Sequence, residues 1–344
     1  MKENLSAVLK PVSRSLYLSI KVFPAGLQDV FGAAYLLCRA ADTVADTDLL
    51  ERAARGRLIR LFPRACRANG PERQAILAAA AQAADAQKLQ AEKNLLSSLS
   101  DCFAAADNLP EQDRAITFEA VDSVCRGMLL DLEYFPPAPE IKAMASASEL
   151  ETYCRDIGGG PGIFWTKAIC LHTGLKDMDG ELTKQGANIG DALQITNILR
   201  DMAQDLRIGR CYLPEEDLKE VKLTAKDLLD PSAYRQLKPV VDKWIRWGAQ
   251  RLASAESYIL ALPARELRVR AATIWPVFWS LDTFAQLAAA ENLLDPSKRT
   301  KIRRSRIYGT IAQTPLILAS DTAFIKGYRL RRETIFCGLG SKAA

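Results

Sequence analysis

Two pairs of aspartates carry the first chemical suggestion in this chain. Asp42 and Asp46 lie four residues apart, and so do Asp201 and Asp205. On a helix of 3.6 residues per turn, each pair shares one face. Like charges at that spacing repel and weaken an isolated helix; a divalent cation bound to both removes the repulsion. Magnesium suits such oxygens, because it keeps few protein carboxylates and fills its shell with water and substrate phosphate. Tyr35 and Arg39 share the face of Asp42 and Asp46. Gln194 and Asn197 share that of Asp201 and Asp205, with Arg200 at its edge and Arg210 just beyond. Guanidinium groups grip phosphate oxygens in bidentate fashion, and the amides offer donors or neutral oxygen ligands. The bland reading of an acidic pair is a solvated helix face. Against it, both pairs sit among Ala, Ile, Leu and Val, and both carry Arg plus an amide or phenol.

The elements that hold these residues read as helices. Pro and Gly punctuate long stretches with apolar residues at helical spacing. The pattern predicts helices over about 13–22, 28–46, 49–61, 72 to beyond 105, and 110–133, the last opened by Pro110. Pro136, Pro137 and Pro139 mark a loop, and Ser148 with Glu151 fits a capping box. Gly158–Gly162 is expected to interrupt the next helix. A long one follows over about 179–206, stopped by Gly209 and Pro214, and Asp230-Pro231 opens another. Pro276 falls inside the last long helix. No alternating strand run appears, so the expected fold is all-α, in one domain over 1–344 with a core of about 12–308 and a C-terminal tail of 309–344.

Composition narrows the class further. The net charge is +5, with one dense basic run at Lys298, Arg299, Lys301, Arg303, Arg304 and Arg306. That suits an anionic ligand or membrane surface and falls short of a nucleic-acid footprint. Eight cysteines without a Cys-x-x-Cys pair, and His172 alone as histidine, argue against zinc and for buried thiols in a reducing compartment. The first ten residues lack the apolar core of a secretory signal, and no window is long and apolar enough to span a bilayer. The expected location is the cytoplasm.

The motifs resemble those of the squalene and phytoene synthase family. The likeness runs from Val12 to about Tyr308: Ser13-Arg14-Ser15, Tyr35 through Asp46, Tyr153-Cys154, Gln194 through Asp205, and Gly209-Arg210-Cys211-Tyr212-Leu213-Pro214. In this order and spacing the set is specific, and it is most similar to bacterial squalene synthases. The resemblance implies an isoprenoid synthase helical bundle around an apolar cavity. It also implies head-to-head coupling of two prenyl diphosphates, farnesyl diphosphate first among them. Asp42, Asp46, Asn197, Asp201 and Asp205 would hold two or three magnesium ions. Ser13, Arg14, Arg39, Gln194, Asn197, Arg200 and Arg210 would hold diphosphate. Tyr35 and Tyr153 would line the reacting centre, Tyr153 in proton removal; core tyrosines are the alternative. Ala45 and Thr47 stand where eukaryotic squalene synthases carry further acids, and Gly158–Gly162 stands where Ala-Gly is expected.

The product is open at this stage. Lys301-Ile302-Arg303-Arg304 resembles the segment that squalene synthases place near the NADPH phosphate, and an exposed basic patch is the other reading. Ser13-Arg14-Ser15 and the first aspartate motif point toward squalene; Tyr212-Leu213-Pro214-Glu215 resembles the phytoene type. Phytoene, dehydrosqualene or the unreduced cyclopropyl diphosphate are the alternative products. A non-catalytic assembly or lipid-binding protein is the alternative class. An insoluble product would imply peripheral association with a membrane.

Overall fold

The computed structural model describes residues 3–13, 15–46 and 50–340. The chain divides into two compact units, one of residues 1–134 and 163–183, the other of 135–162 and 184–344.

Every regular element among the described residues of the first unit is a helix. It comprises α1 (Glu3–Ser13), α2 (Leu16–Val22), α3 (Ala25–Asp46), α4 (Arg52–Arg67), α5 (Pro71–Ala86), α6 (Gln90–Ser97), α7 (Leu99–Asp107) and α8 (Glu111–Tyr134). Helix α3 is its centre, packing on α1, α7 and α8. Leu27, Val30, Phe31, Ala34, Leu37, Ala41 and Val44 are all buried, an apolar stripe at helical spacing. Most of α10 (Gly160–Thr173) also belongs here. Its Phe164 and Trp165 close an aromatic cluster with Phe23 and Phe31, whose rings stack 4.6 Å apart.

The second unit holds the only strands among the described residues, β1 (Lys142–Met144) and β2 (Arg210–Pro214), paired in parallel. Helices α9 (Ala147–Cys154), α11 (Glu181–Asp205), α12 (Glu215–Glu220), α13 (Tyr234–Arg251), α14 (Ser254–Ala261), α15 (Leu267–Ala288), α16 (Arg304–Ile317) and α17 (Asp321–Gly338) complete it. Helix α15 is buried almost all round and receives α13, α14, α16 and α17. Residues 309–344, expected as a tail, thus carry most of α16 and all of α17. Among the described residues no helix is long and apolar enough to cross a membrane.

Three sequence expectations need correcting. The stretch from 72 past 105 is three helices, α5 to α7. The capping box lies two residues earlier than expected: Ser146 accepts from the Glu149 backbone N–H, and Glu149 accepts from that of Ala145. The glycine run does not interrupt its helix either. It forms a π-helical turn, Arg155–Gly159, between α9 and α10, and its glycines press against α11. A Cβ on Gly158 would lie 2.2 Å from the Gly190 carbonyl oxygen, and one on Gly162 would lie 2.1 Å from that of Gly186. Glycine lets two helix backbones touch there.

Candidate active site

In α3, nearly every residue from Val30 to Ala45 is buried, yet Tyr35, Cys38, Arg39 and Asp42 form a partly open stripe. Arg39 donates to Asp42 and, through Nη2, to Glu92 of α6 at 3.0 Å. The Tyr35 hydroxyl donates to the Val12 carbonyl at 2.9 Å, tying the end of α1 to α3. Ser13, next to Val12, is buried and donates its hydroxyl to the Leu9 carbonyl of its own helix. Arg14 lies outside the described residues, as does the side chain of Asp46.

Helix α11 follows the same plan. Gln194, Asn197, Asp201 and Asp205 form an open stripe on a helix otherwise largely buried between Gly186 and Leu206. Asp201 accepts from two arginines: Arg200 donates at 2.5 and 3.2 Å, and Arg299 at 2.7 Å. Burial pushes the Asp201 carboxyl up, but hydrogen bonds and charge from Arg200 and Arg299 outweigh it and hold the group below the usual carboxylate range. The left-handed Gly209 (φ 89°) then turns the chain into β2, where Arg210 sits in register with Lys142 of β1. Of the expected cofactor residues, Arg303 and Arg304 are exposed and have no acidic partner among the described residues, and Lys301 is also exposed.

Tyr153 ends α9 just before the π turn. It is buried, its ring stacks on Tyr212 of β2 at 4.9 Å, and its hydroxyl donates to that of Tyr212 at 3.3 Å. Phe135 meets Tyr212 edge-on at 5.1 Å. The turn itself is held by Arg155, which donates to Asp191 of α11 at 2.6 Å. Asp191 is 1% exposed, and its Oδ1 has no hydrogen bond. Burial pushes this carboxyl up to about 6, against the neighbouring Arg155 and Arg251.

These donor sets suit magnesium. Among the described residues no three His, Cys, Asp or Glu side chains converge into an all-protein cage. The carboxylates stand on open stripes with guanidinium cations already hydrogen-bonded to Asp42 and Asp201. Magnesium needs no more than one or two such groups when phosphate completes its shell.

Sequence reasoning did not anticipate Glu92, Lys142, Arg155, Asp191 or Tyr212 as neighbours of these motifs, nor Arg299 as the partner of Asp201. Only the basic run around Arg299 and the Gly209–Pro214 motif that contains Tyr212 carried a signal.

Comparison with known proteins gives the family and the fold. A family model described as squalene/phytoene synthase matches residues 9–306. Phytoene synthase 2, chloroplastic, of Oryza sativa subsp. japonica is 29% identical over 156 residues, 45% of this chain and 37% of that protein. The 15-cis-phytoene synthase of Enterobacter agglomerans is 30% identical over 113 residues, 33% of this chain and 36% of that protein. The matches thus span well under half the length of these curated relatives. Among solved structures, a complex of TcSQS with the ligand BPH1237 superimposes with a TM-score of 0.75 at 16% identity, covering 99% of this chain and all of that one. A ligand complex of a dehydrosqualene synthase gives 0.62 at 20% identity, covering 92% and 95%. The fold expected from the motifs, a helical isoprenoid synthase type, is the fold observed, with one short strand pair added.

Proposed function

Because the chain belongs to the squalene/phytoene synthase family, we propose that it condenses two prenyl diphosphates head to head. The observation that carries this reading is the repeated stripe. Two helices, buried elsewhere, each leave open one file of side chains, and each file holds an arginine-bound aspartate.

In this reading Asp42 and Asp46, and likewise Asp201, Asp205 and Asn197, are the magnesium ligands. When bound, magnesium supplies Lewis-acid polarisation of the diphosphate leaving group. Arg39, Arg200 and Arg210, with Arg14, Ser13 and Gln194, bind and orient the diphosphate oxygens. The guanidiniums now on Asp42 and Asp201 turn toward phosphate as it arrives, leaving the carboxylate oxygens to the metal. Tyr35 fixes the last turn of α1 at Val12, just ahead of Ser13 and Arg14. Tyr153, buried and hydrogen-bonded to Tyr212, is the group we assign to proton removal near the allylic centre, with aromatic faces beside it that favour a developing cation.

We assign farnesyl diphosphate as substrate and squalene as product. Lys301, Arg303 and Arg304 bind the reductant phosphate, and NADPH, when bound, supplies hydride. Support comes from the exposure of Arg303 and Arg304 without an acidic partner. The second reading is phytoene or dehydrosqualene without reduction, favoured by the phytoene synthase names of the relatives.

One assay separates these readings: purified protein, magnesium and farnesyl diphosphate, with and without NADPH, extracts analysed by mass spectrometry. Squalene formed only with NADPH is the expected result. Dehydrosqualene or a cyclopropyl diphosphate in both tubes refutes the reduction, and product from the geranylgeranyl substrate alone selects phytoene. Asp201→Asn should lose about a thousandfold in turnover, the scale of several kcal/mol of metal-assisted stabilisation, with an unchanged circular dichroism spectrum. Full turnover in that variant would refute the metal assignment.

A further inference from the structure

A cavity of about 500 Å³ opens in the second unit between α15, α16 and α17. It lies outside the two aspartate stripes, and its walls are charged. Asp282, only 8% exposed, takes two hydrogen bonds of 2.7 Å from Arg306. Arg331 is also 8% exposed; its Nε stands 3.4 Å from Asp282 Oδ1, out of hydrogen-bonding geometry, and has no other partner. Arg303 lines the cavity too. Arg331 is further held by donating Nη1 to the Gly327 carbonyl at 3.0 Å and by lying 4.1 Å over the Phe278 ring. Three arginines and one carboxylate therefore line the cavity.

That excess has two further marks. The first turn of α16 contains no acid, and its N-terminus has no side-chain cap, so its backbone N–H groups lack the usual acceptor. Arginines in that turn oppose the helix dipole, which favours anions there. The buried, incompletely bonded Arg331 is costly as well, since burial drives its guanidinium toward the neutral form despite Asp282. Neutralising Asp282 accounts for one arginine and leaves the others uncompensated. The rest of the lining, including Gln286, Ser305 and Gln313, is rich in hydrogen-bond donors.

We propose that this cavity binds the dianionic phosphate group of a phosphate monoester. The charge balance sets the anion: two surplus positive charges match one dianion. The volume sets the rest, because about 500 Å³ exceeds what bare phosphate fills and lies within the range of small-molecule pockets. A soluble phosphate ester and the headgroup of phosphatidic acid share this chemistry. Arg303 is shared with the reductant-phosphate assignment above, so the cavity and that assignment draw on one side chain, while the head-to-head coupling step itself does not use the cavity.

The test is inorganic phosphate titrated against the full chain at constant ionic strength, read by calorimetry and thermal shift, with chloride as control. Four proteins are compared: the natural chain, Gln286→Glu, Gln313→Glu and Asp282→Asn. The two glutamates add negative charge to the wall without disturbing the Asp282–arginine bonds, and each should weaken phosphate binding about tenfold or more. Asp282→Asn removes the competing carboxylate and should tighten it, an opposite sign that a purely structural role for Asp282 would not give. Glycerol 3-phosphate displacing phosphate, with no binding to phosphatidic acid vesicles, identifies a soluble ester. Binding to those vesicles, and not to phosphatidylcholine, in a phosphate-competed manner identifies the headgroup. Absence of phosphate binding above the chloride control, or binding unchanged in both glutamate variants, overturns the proposal. Prenyl diphosphate turnover in Gln313→Glu should equal that of the natural chain, so this outcome and the coupling assay fail separately.

Discussion

Replacing Gly190 by alanine places a methyl carbon 2.1 Å from the Gly158 carbonyl oxygen, where a contact of at least 3.0 Å is needed. The atoms it meets, Gly158 O and C and Gly159 Cα, are all backbone, so no side chain can swing away. Relief requires the π turn and α11 to separate by about 1 Å. Such a gap forfeits a quarter to a half of each dispersion contact, roughly 0.05 kcal/mol per atom pair, or about 2–3 kcal/mol over some fifty pairs. Alanine in a helix interior returns about 1 kcal/mol over glycine. The net expected loss is about 1–2 kcal/mol, near the overpacking range, and a fall in Tm of a few degrees. Gly309 of α16, with nothing within 4 Å of its would-be Cβ, is the control, and Gly309→Ala should raise Tm by helix propensity alone. Since Gly158 also abuts Gln194, the separation should lower turnover beyond what the loss of folded protein explains. Thermal unfolding followed by circular dichroism, with activity at 25 °C, decides the matter. Equal stabilisation of Gly190→Ala and Gly309→Ala would refute the close backbone contact.

Three more expectations follow from individual groups. Asp191 is held up to about 6, above its unfolded value, so its contribution to stability is present at low pH and is lost as pH rises through about 6. Between pH 5 and 7 that loss should be about 1 kcal/mol in urea unfolding, and Asp191→Asn should flatten it. Asp201 has the opposite sign: its depressed carboxyl gives stability that is lost only as pH falls through its folded value. Arg299→Gln should therefore shift the acid limb of the activity profile to higher pH, and it should lower the magnesium concentration for half-maximal rate by freeing one Asp201 oxygen; an unmoved acid limb would count against the pair. Finally, Cys337 is exposed, whereas burial raises the buried thiols, Cys102 and Cys211 to about 12. A thiol reagent at pH 8 should label Cys337 first and reach all eight cysteines only after unfolding.

The legible parts of this fold were those where local chemistry decides. The apolar stripe of α3, the start of α8 after Pro110, and the end of α11 at Gly209 follow from periodicity and punctuation. The unbroken Ala-rich stretch from 72 to 105 offers no Gly or Pro, so its division into α5, α6 and α7 is imposed by packing. Two overlapping Ser-x-x-Glu patterns compete before α9, and the one nearer β1 prevails where the chain leaves the strand. The glycine run misled for a physical reason: glycine weakens a lone helix but permits one that presses on another backbone. Helix α1 carries Pro11 in its last turn and lacked a start signal. For the site, the motif residues themselves were readable. Their partners were not, because Glu92 and Arg299 lie 53 and 98 positions from the residues they bind.

The division of the chain into units has a consequence during synthesis. The first unit is interrupted: after residue 134 the ribosome makes 135–162 of the other unit before returning to 163–183. At 5–20 residues per second, the roughly 30 residues from 134 to Trp165 amount to a delay of about 2–6 s. Through that interval the nascent segment carrying Phe23 and Phe31 lacks Phe164 and Trp165, the rings that cover them in the finished protein. An apolar face open for seconds is a target for chaperone capture, and a stalled chain ending before residue 163 should be held by one while a chain extended past 183 is released.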